Sequence, residues 1–187
     1  LHLGNRSLKS LDLLSLLAPG RARQLRLCVL LTQSLCVLPW LEVARRAIDG
    51  GADALQLREK DLDGAELLSR AEQLVSLAAP RGVTVFINDR PDIALLSGAH
   101  GVHLGQSDLP IARVRELAGS RLLIGVSTSC PREAELAAKS GADLCGVGPM
   151  FATTTKHKPQ LAGPAYLREY LAHHPHLPHL AIGGITP

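Results

Sequence analysis

The sequence predicts an α/β fold, a TIM (β/α)8 barrel whose eighth β/α unit is missing from this chain of 187 residues. Three observations predict it. Seven short apolar runs alternate with stretches of helical period, and their starts lie about 18 to 35 residues apart, room each time for the crossover that parallel strands need. The triplets Gly51-Ala52-Asp53, Gly98-Ala99-His100 and Gly141-Ala142-Asp143 recur between a helix end and the next strand, about two β/α units apart. A doubly wound open sheet, the competing arrangement, would carry a G-x-G-x-x-G phosphate fingerprint after its first strand, and none stands there.

Residues 1–24 place Leu8, Leu11, Leu14 and Leu17 at roughly helical spacing, then break at Pro19-Gly20 before Arg21-Ala22-Arg23. They read as an N-terminal helix and linker, or as the end of an upstream domain. The first residue is Leu1, not Met, and no basic start, clean apolar core or small-residue cleavage site marks a signal peptide. The expectation is a chain that begins downstream of a longer protein's start.

The barrel runs over residues 25–187. Strands are predicted at Arg26–Thr32, Ala54–Arg58, Val83–Ile87, Gly101–Leu104, Leu123–Val126, Leu144–Gly148 and His179–Ile182. Helices fill the gaps at Trp40–Asp49, Ala65–Ala79, Pro91–Ser97, Pro110–Ala118, Pro131–Ser140 and Pro164–Ala172. Four of the six open on a proline, which has no N–H to leave unpaired in a first turn. Seven parallel strands alone would leave an open edge, so an eighth unit is expected in the full protein.

Composition narrows the function classes. With 46% hydrophobic and 20% charged residues, this is an ordinary folded domain. Charges interrupt every apolar run short of the ~18 residues of a membrane span, so no membrane is expected. A net charge of +3 without a basic stripe, and only 1 Trp, 2 Tyr and 2 Phe to stack on bases, argue against nucleic acid. Cys28, Cys36, Cys130 and Cys145 show no C-x-x-C spacing and are expected as free thiols in a reducing cytoplasm.

Active sites of such barrels lie at the C-terminal ends of the strands, so polar residues there are the candidates. Strand two ends in Gln56-Leu57-Arg58-Glu59-Lys60. Alternation sends Gln56, Arg58 and Lys60 to one side, where two cations and an amide suit a phosphate or diphosphate. A barrel-mouth ion pair with Glu59 or Asp61 is the alternative. Strands three and four end in Asn88-Asp89-Arg90 and in His103-Leu104-Gly105-Gln106-Ser107-Asp108. Asp89 and Asp108, on adjacent strands, offer the oxygen ligands Mg²⁺ prefers, with water and substrate phosphate completing the octahedron. Each also stands just before a helix-opening proline and could cap that helix instead.

His103 has no second His or Cys at zinc-ligand spacing. In Gly125-Val126-Ser127-Thr128-Ser129, Ser127 is left for the pocket if Thr128 or Ser129 caps the next helix, and no G-x-S-x-G nucleophile elbow is present. Thr153-Thr154-Thr155-Lys156, in the long loop after strand six, combines hydroxyls, amides and a lysine that can hold phosphate, or forms a solvated loop. Gly183-Gly184 lets backbone N–H groups approach a phosphate, or makes a plain turn. The histidine-rich run from His173 to His179 is broken by Pro175 and Pro178 and reads as a connector.

Gln56-Leu57-Arg58-Glu59-Lys60, Ile87-Asn88-Asp89-Arg90, Gly101-Val102-His103-Leu104-Gly105-Gln106 with Asp108-Leu109-Pro110, Gly125-Val126-Ser127-Thr128, Gly146-Val147-Gly148-Pro149-Met150-Phe151 and Ala181-Ile182-Gly183-Gly184-Ile185-Thr186 together resemble the thiamin phosphate synthase (thiamine-phosphate pyrophosphorylase) family. The motifs follow in order at every strand end from about Leu25 to Pro187. The resemblance implies a cytoplasmic, Mg²⁺-dependent transferase of thiamin biosynthesis. It would join 4-amino-5-hydroxymethyl-2-methylpyrimidine diphosphate to hydroxyethylthiazole phosphate, releasing diphosphate.

The resemblance further implies that Gln56, Arg58, Lys60, Asn88, Ser127 and Lys156 hold the pyrimidine diphosphate. Thr153, Thr154, Thr155 and Gly183 would hold the thiazole phosphate, and Asp89 and Asp108 the metal; His103, Gln106 and Gly184 join the pocket. The implied partners are two small phosphorylated substrates, and a homodimer is compatible with the reading. Gln33, Ser129 and Ala152 stand where the family often has Asp, His and Pro. The nearest rival is the related thiazole tautomerase, which does not need the acidic pair. A sensor that binds the phosphorylated ligand without turnover is the rival from another class.

Overall fold

The computed structural model describes residues 25–153 and 161–185. The helix and linker predicted for residues 1–24, and the candidate residues Thr154, Thr155 and Lys156, lie outside the described residues. Seven strands form one wholly parallel sheet in chain order: β1 (Cys28–Leu31), β2 (Ala54–Leu57), β3 (Thr84–Asn88), β4 (Gly101–Leu104), β5 (Leu123–Thr128), β6 (Leu144–Val147) and β7 (His179–Ala181). Helices α1 (Trp40–Asp49), α2 (Gly64–Ala78), α3 (Pro91–Ser97), α4 (Ile111–Ala118), α5 (Pro131–Lys139) and α6 (Gly163–His173) cross from each strand to the next. One cavity is lined both by Leu30 of β1 and by Ile182 just past β7, which requires a sheet curled toward a barrel. None of the described helices is long and apolar enough to cross a membrane.

The strands read as short apolar runs because most of their residues are buried on both faces. Outward-facing Leu55, Leu57, Val85, Ile87, Val102 and Leu104 are fully buried against the helices. The helices answer at helical spacing, with Trp40, Ala44 and Ile48 from α1 and Leu67, Ala71, Leu74 and Ala78 from α2. Inward-facing Ala54, Phe86, Leu123 and Leu144 pack into a second cluster. Gly101 is required there: a Cβ on it would come within 2.5 Å of the Phe86 ring. Further along the same inner face, two residues on at Gln56, Asn88 and His103 and four on at Ser127, the lining turns polar.

The repeated triplets have a physical purpose. Gly51, Gly98 and Gly141 take left-handed φ values of 92°, 72° and 81°. The third residue then stitches its strand to the start of the preceding one. Asp53 Oδ2 accepts from Arg26 and Leu27 N–H at 2.9 Å, His100 Nδ1 accepts from Val85 N–H at 3.0 Å, and Asp143 Oδ2 accepts from Ile124 N–H at 2.7 Å. Arg115 also donates to Asp143 Oδ2 at 2.6 Å. Asp143→Ala strands the amide of fully buried Ile124 and is expected to cost about 2 kcal/mol in urea denaturation; a loss under about 0.5 kcal/mol, the range of an ordinary surface change, would contradict this role.

All seven predicted strands and six predicted helices are present, with shifted ends. Strand β5 runs past Val126 because Ser127 and Thr128 stay in register with Gly146 and Val147. Thr128 is therefore fully buried toward the helices and does not cap α5. Of the four prolines expected to open helices, Pro91 and Pro131 do so, Pro110 stands one residue before α4, and Pro164 is second in α6. Helix α2 starts at Gly64, since Asp63 supplies the cap by accepting from Glu66 N–H at 2.9 Å.

Candidate active site

A cavity of about 670 Å³ opens at the C-terminal ends of the strands. Gln56 and Arg58 line it from β2, Asn88 from β3, His103 from β4 and Ser127 from β5. His103 Nε2 and Ser127 Oγ lie 3.0 Å apart. The imidazole reaches across the sheet because β5 and β6 present no side chain beneath it. A Cβ on Gly125 would stand 2.7 Å from His103 Nδ1, and one on Gly146 would stand 3.1 Å from Cε1.

Asp89 and Asp108 meet at the ends of β3 and β4, and neither caps the helix that follows it. The residues at the cap positions of α3 and α4 are Arg90 and Pro110, and neither makes a side-chain cap bond. Asp89 instead adopts φ 62°, rare outside glycine, with its N–H bonded to His103 O at 2.9 Å. Asp108 Oδ2 accepts from Gly105 N–H at 2.6 Å, turning its loop back toward β4.

Burial holds the Asp89 carboxyl above the ordinary carboxylate range, and the Asp108 carboxylate beside it pushes the same way. Lys60, whose Nζ lies 3.4 Å from Asp89 Oδ2, pulls back. Among the described residues no group of three or more His, Cys, Asp or Glu gathers at metal-binding spacing. The described residues bring this pair of carboxylates together, and an ion held by it would complete its ligands with water or an anion.

The cations of β2 divide. Arg58 lines the cavity, whereas Lys60 sits half-exposed at the rim and pairs with Asp89 rather than with Glu59 or Asp61. Glu59 faces the other way, toward Arg70 and the Gln33 N–H. Gln106 does not line the cavity; its amide donates to Ser127 O at 2.6 Å.

Across the opening, Thr153, Gly183 and Gly184 line the far wall. Gly183-Gly184 is not a plain turn. The loops after β6 and β7 bond to each other, Met150 N–H to Ile182 O and Phe151 N–H to Gly183 O, both at 2.9 Å. Gly183 and Gly184 take φ values of 96° and 65°, and a Cβ on either would run into Pro149 or Ala152 O.

Sequence reasoning collected polar residues and missed an apolar wall. Leu35, Cys36, Val37 and Leu38, in the loop between β1 and α1, line the cavity beside Leu30. The signal was the apolar run just before Pro39, too short for a strand of its own. Gln33, a departure from the family pattern, turns away from the cavity and accepts from Trp40 N–H at 3.2 Å. Ser129 donates from both its N–H and its hydroxyl to Glu133 Oε2.

Comparison with known proteins places this geometry. The solved thiamine phosphate pyrophosphorylase of Pyrococcus furiosus superposes with a TM-score of 0.80 at 34% identity, covering 88% of this chain and 78% of that one. The thiamine-phosphate synthase of Shouchella clausii is 45% identical over 148 residues, 78% of this chain and 69% of its own length. That of Gloeobacter violaceus is 45% identical over 145 residues, 78% of this chain but only 42% of its own length. The family described as thiamine monophosphate synthase matches residues 27–187, a stretch whose seven strands all contribute to the lining of this cavity, the seventh through Ile182 just past its end, and the chain belongs to that family.

Proposed function

We propose that the chain is a thiamin phosphate synthase, a cytoplasmic transferase built on a TIM (β/α)8 barrel of which this chain supplies seven units. It condenses 4-amino-5-hydroxymethyl-2-methylpyrimidine diphosphate with hydroxyethylthiazole phosphate. The observation that carries this reading is the Asp89–Asp108 pair with Lys60, next in the chain to Asn88 and close to Arg58, which line the same cavity as Gly183 and Gly184. A diphosphate is a natural neighbour for an acidic pair only when a divalent cation lies between them, and here burial first and then Asp108 hold the Asp89 carboxyl above its ordinary range. The thiazole tautomerase leaves the acidic pair without a use.

In the reaction the C–O bond between the pyrimidine methylene and the diphosphate breaks, and the electron pair departs with diphosphate. The thiazole nitrogen gives its lone pair to the methylene carbon, forming the C–N bond of thiamin phosphate. Mg²⁺ held by Asp89 and Asp108 would neutralise the leaving diphosphate. Arg58 and Lys60 supply fixed cations to the same group. Gln56, Asn88 and Ser127 hydrogen-bond the pyrimidine side, with His103 fixing the Ser127 hydroxyl. Thr153 and the Gly183 backbone hold the thiazole phosphate, with Gly184 beside them, and by family resemblance Thr154, Thr155 and Lys156 add to the two phosphate sites. Leu35, Val37 and Leu38 give the substrates an apolar side to lie against, beside the polar inner ends of the strands. No covalent enzyme nucleophile is needed; positioning two substrates and supporting the leaving anion suffice.

Diphosphate release, followed with each substrate alone and then with both, tests this reading. Release only with both substrates is expected. Release with the pyrimidine diphosphate alone would make the chain a hydrolase, and binding without release would make it a sensor.

A further inference from the structure

Behind the cavity, on the outer side of β2, four side chains close a ring. Glu59 is only 10% exposed although nothing in the proposed chemistry uses it. Its Oε1 accepts from Gln33 N–H at 2.8 Å and lies 3.2 Å from an Arg70 guanidinium nitrogen. Arg70 is held from α2 by Glu66 at 2.9 Å and lies over the Trp40 ring, 5.8 Å from its centroid. Trp40, first in α1, donates its N–H to Gln33 Oε1 at 3.2 Å, which returns the ring to the loop. Two further bonds zip the strand ends below it, Arg58 N–H to Leu31 O and the Thr32 hydroxyl to Arg58 O, both at 2.8 Å.

Burying a carboxylate costs solvation that an apolar side chain would not, so its presence calls for a partner that needs an acceptor. That partner is the loop amide. The loop held this way carries Leu35, Val37 and Leu38, which line the cavity, and the segment it is held to, just past β2, carries Arg58 and Lys60. We infer that Glu59 is a positioning residue: from the back of β2 its carboxylate fixes the 33–38 loop against the strand that presents Arg58 and Lys60, and so sets the width of the pyrimidine diphosphate site. This rests on the synthase reading for the identity of the substrate, but not for the loop contact itself.

The test compares Glu59→Ala with Glu59→Gln, because glutamine keeps an oxygen acceptor for Gln33 N–H while losing the charge paired with Arg70. Misplacing one wall of a site weakens binding far more than it alters chemistry in molecules that do bind. Glu59→Ala is expected to raise KM for the pyrimidine diphosphate about 10- to 100-fold with kcat changed less than about threefold. Glu59→Gln is expected to restore KM to within about threefold of the starting protein. A fall in kcat at unchanged KM, or equal impairment in both variants, would overturn the assignment.

Hydrogen exchange supplies a readout that needs no turnover. The amides of residues 33–38 are expected to exchange faster in Glu59→Ala and not in Glu59→Gln; unchanged exchange in Glu59→Ala overturns the role of Glu59. A starting protein that forms no product overturns the synthase reading alone, and the exchange comparison still decides the loop assignment.

Discussion

Asp89→Asn and Asp108→Asn are each expected to lower the rate of thiamin phosphate formation by about a thousandfold or more, since each removes half of a two-carboxylate cation site. Asparagine is the informative replacement at residue 89. It tolerates the left-handed φ of 62°, whereas alanine would add backbone strain to the loss of charge. The same substitutions are expected to stabilise the protein in the absence of Mg²⁺. The Asp89 carboxyl lies above the ordinary carboxylate range through burial and through Asp108, so the folded state binds its proton more tightly than the unfolded state does. Its contribution to stability is therefore present at low pH and is lost as pH rises through the raised value. Asp108→Asn removes one source of that rise. Its Tm should exceed that of the starting protein at neutral pH without metal, and the gap should close below the usual carboxylate range, where both acids are protonated. Full activity in both variants would remove the metal assignment, and a lower Tm at neutral pH would show that the pair is not in repulsion.

Gly148→Ala is expected to destabilise the chain by about 3 kcal/mol and to raise KM for the thiazole phosphate about 100-fold. A Cβ there would stand 2.1 Å from Ile182 O, a backbone atom that cannot swing aside and that also accepts from Met150 N–H. The end of β7 would have to move, and Gly183 and Gly184 with it. Gly82→Ala is the control. Its φ of 65° is also left-handed, but a Cβ there meets nothing within 4 Å, so only conformational strain of about 1 kcal/mol is expected, with KM unchanged. Urea denaturation and steady-state kinetics on the two variants separate crowding from strain. Equal effects would show that the β6–β7 contact does not shape the site.

What the sequence made legible followed from chemistry that is local along the chain. Strand runs buried on both faces, Gly-Ala-x triplets and prolines near helix starts all carry their physical reason within a few residues, and they located all seven strands and six helices. The candidate polar residues were legible because alternation in β2 to β5 assigns Gln56, Arg58, Asn88, His103 and Ser127 to the inner face. Three features were not legible. The choice between capping and pairing for Asp89 and Asp108 depended on a left-handed residue and on a turn closed by Gly105 N–H, neither of which spacing reports. The place of Gln106, implied for the pocket by the resemblance, turned on its amide donating to Ser127 O, a partner 21 residues away. The apolar wall of residues 35–38 depended on Glu59 and Arg70, which only the folded chain brings to the loop.

The measurement that tests the central claim most directly is thiamin phosphate formation by the purified protein supplied with both phosphorylated substrates, first with Mg²⁺, then with the metal chelated, then with it restored. Product is expected in the first and third conditions and none in the second. Product formed at the same rate after chelation would contradict the role of the Asp89–Asp108 pair, and no product in any condition from a folded, full-length chain would contradict the synthase assignment itself.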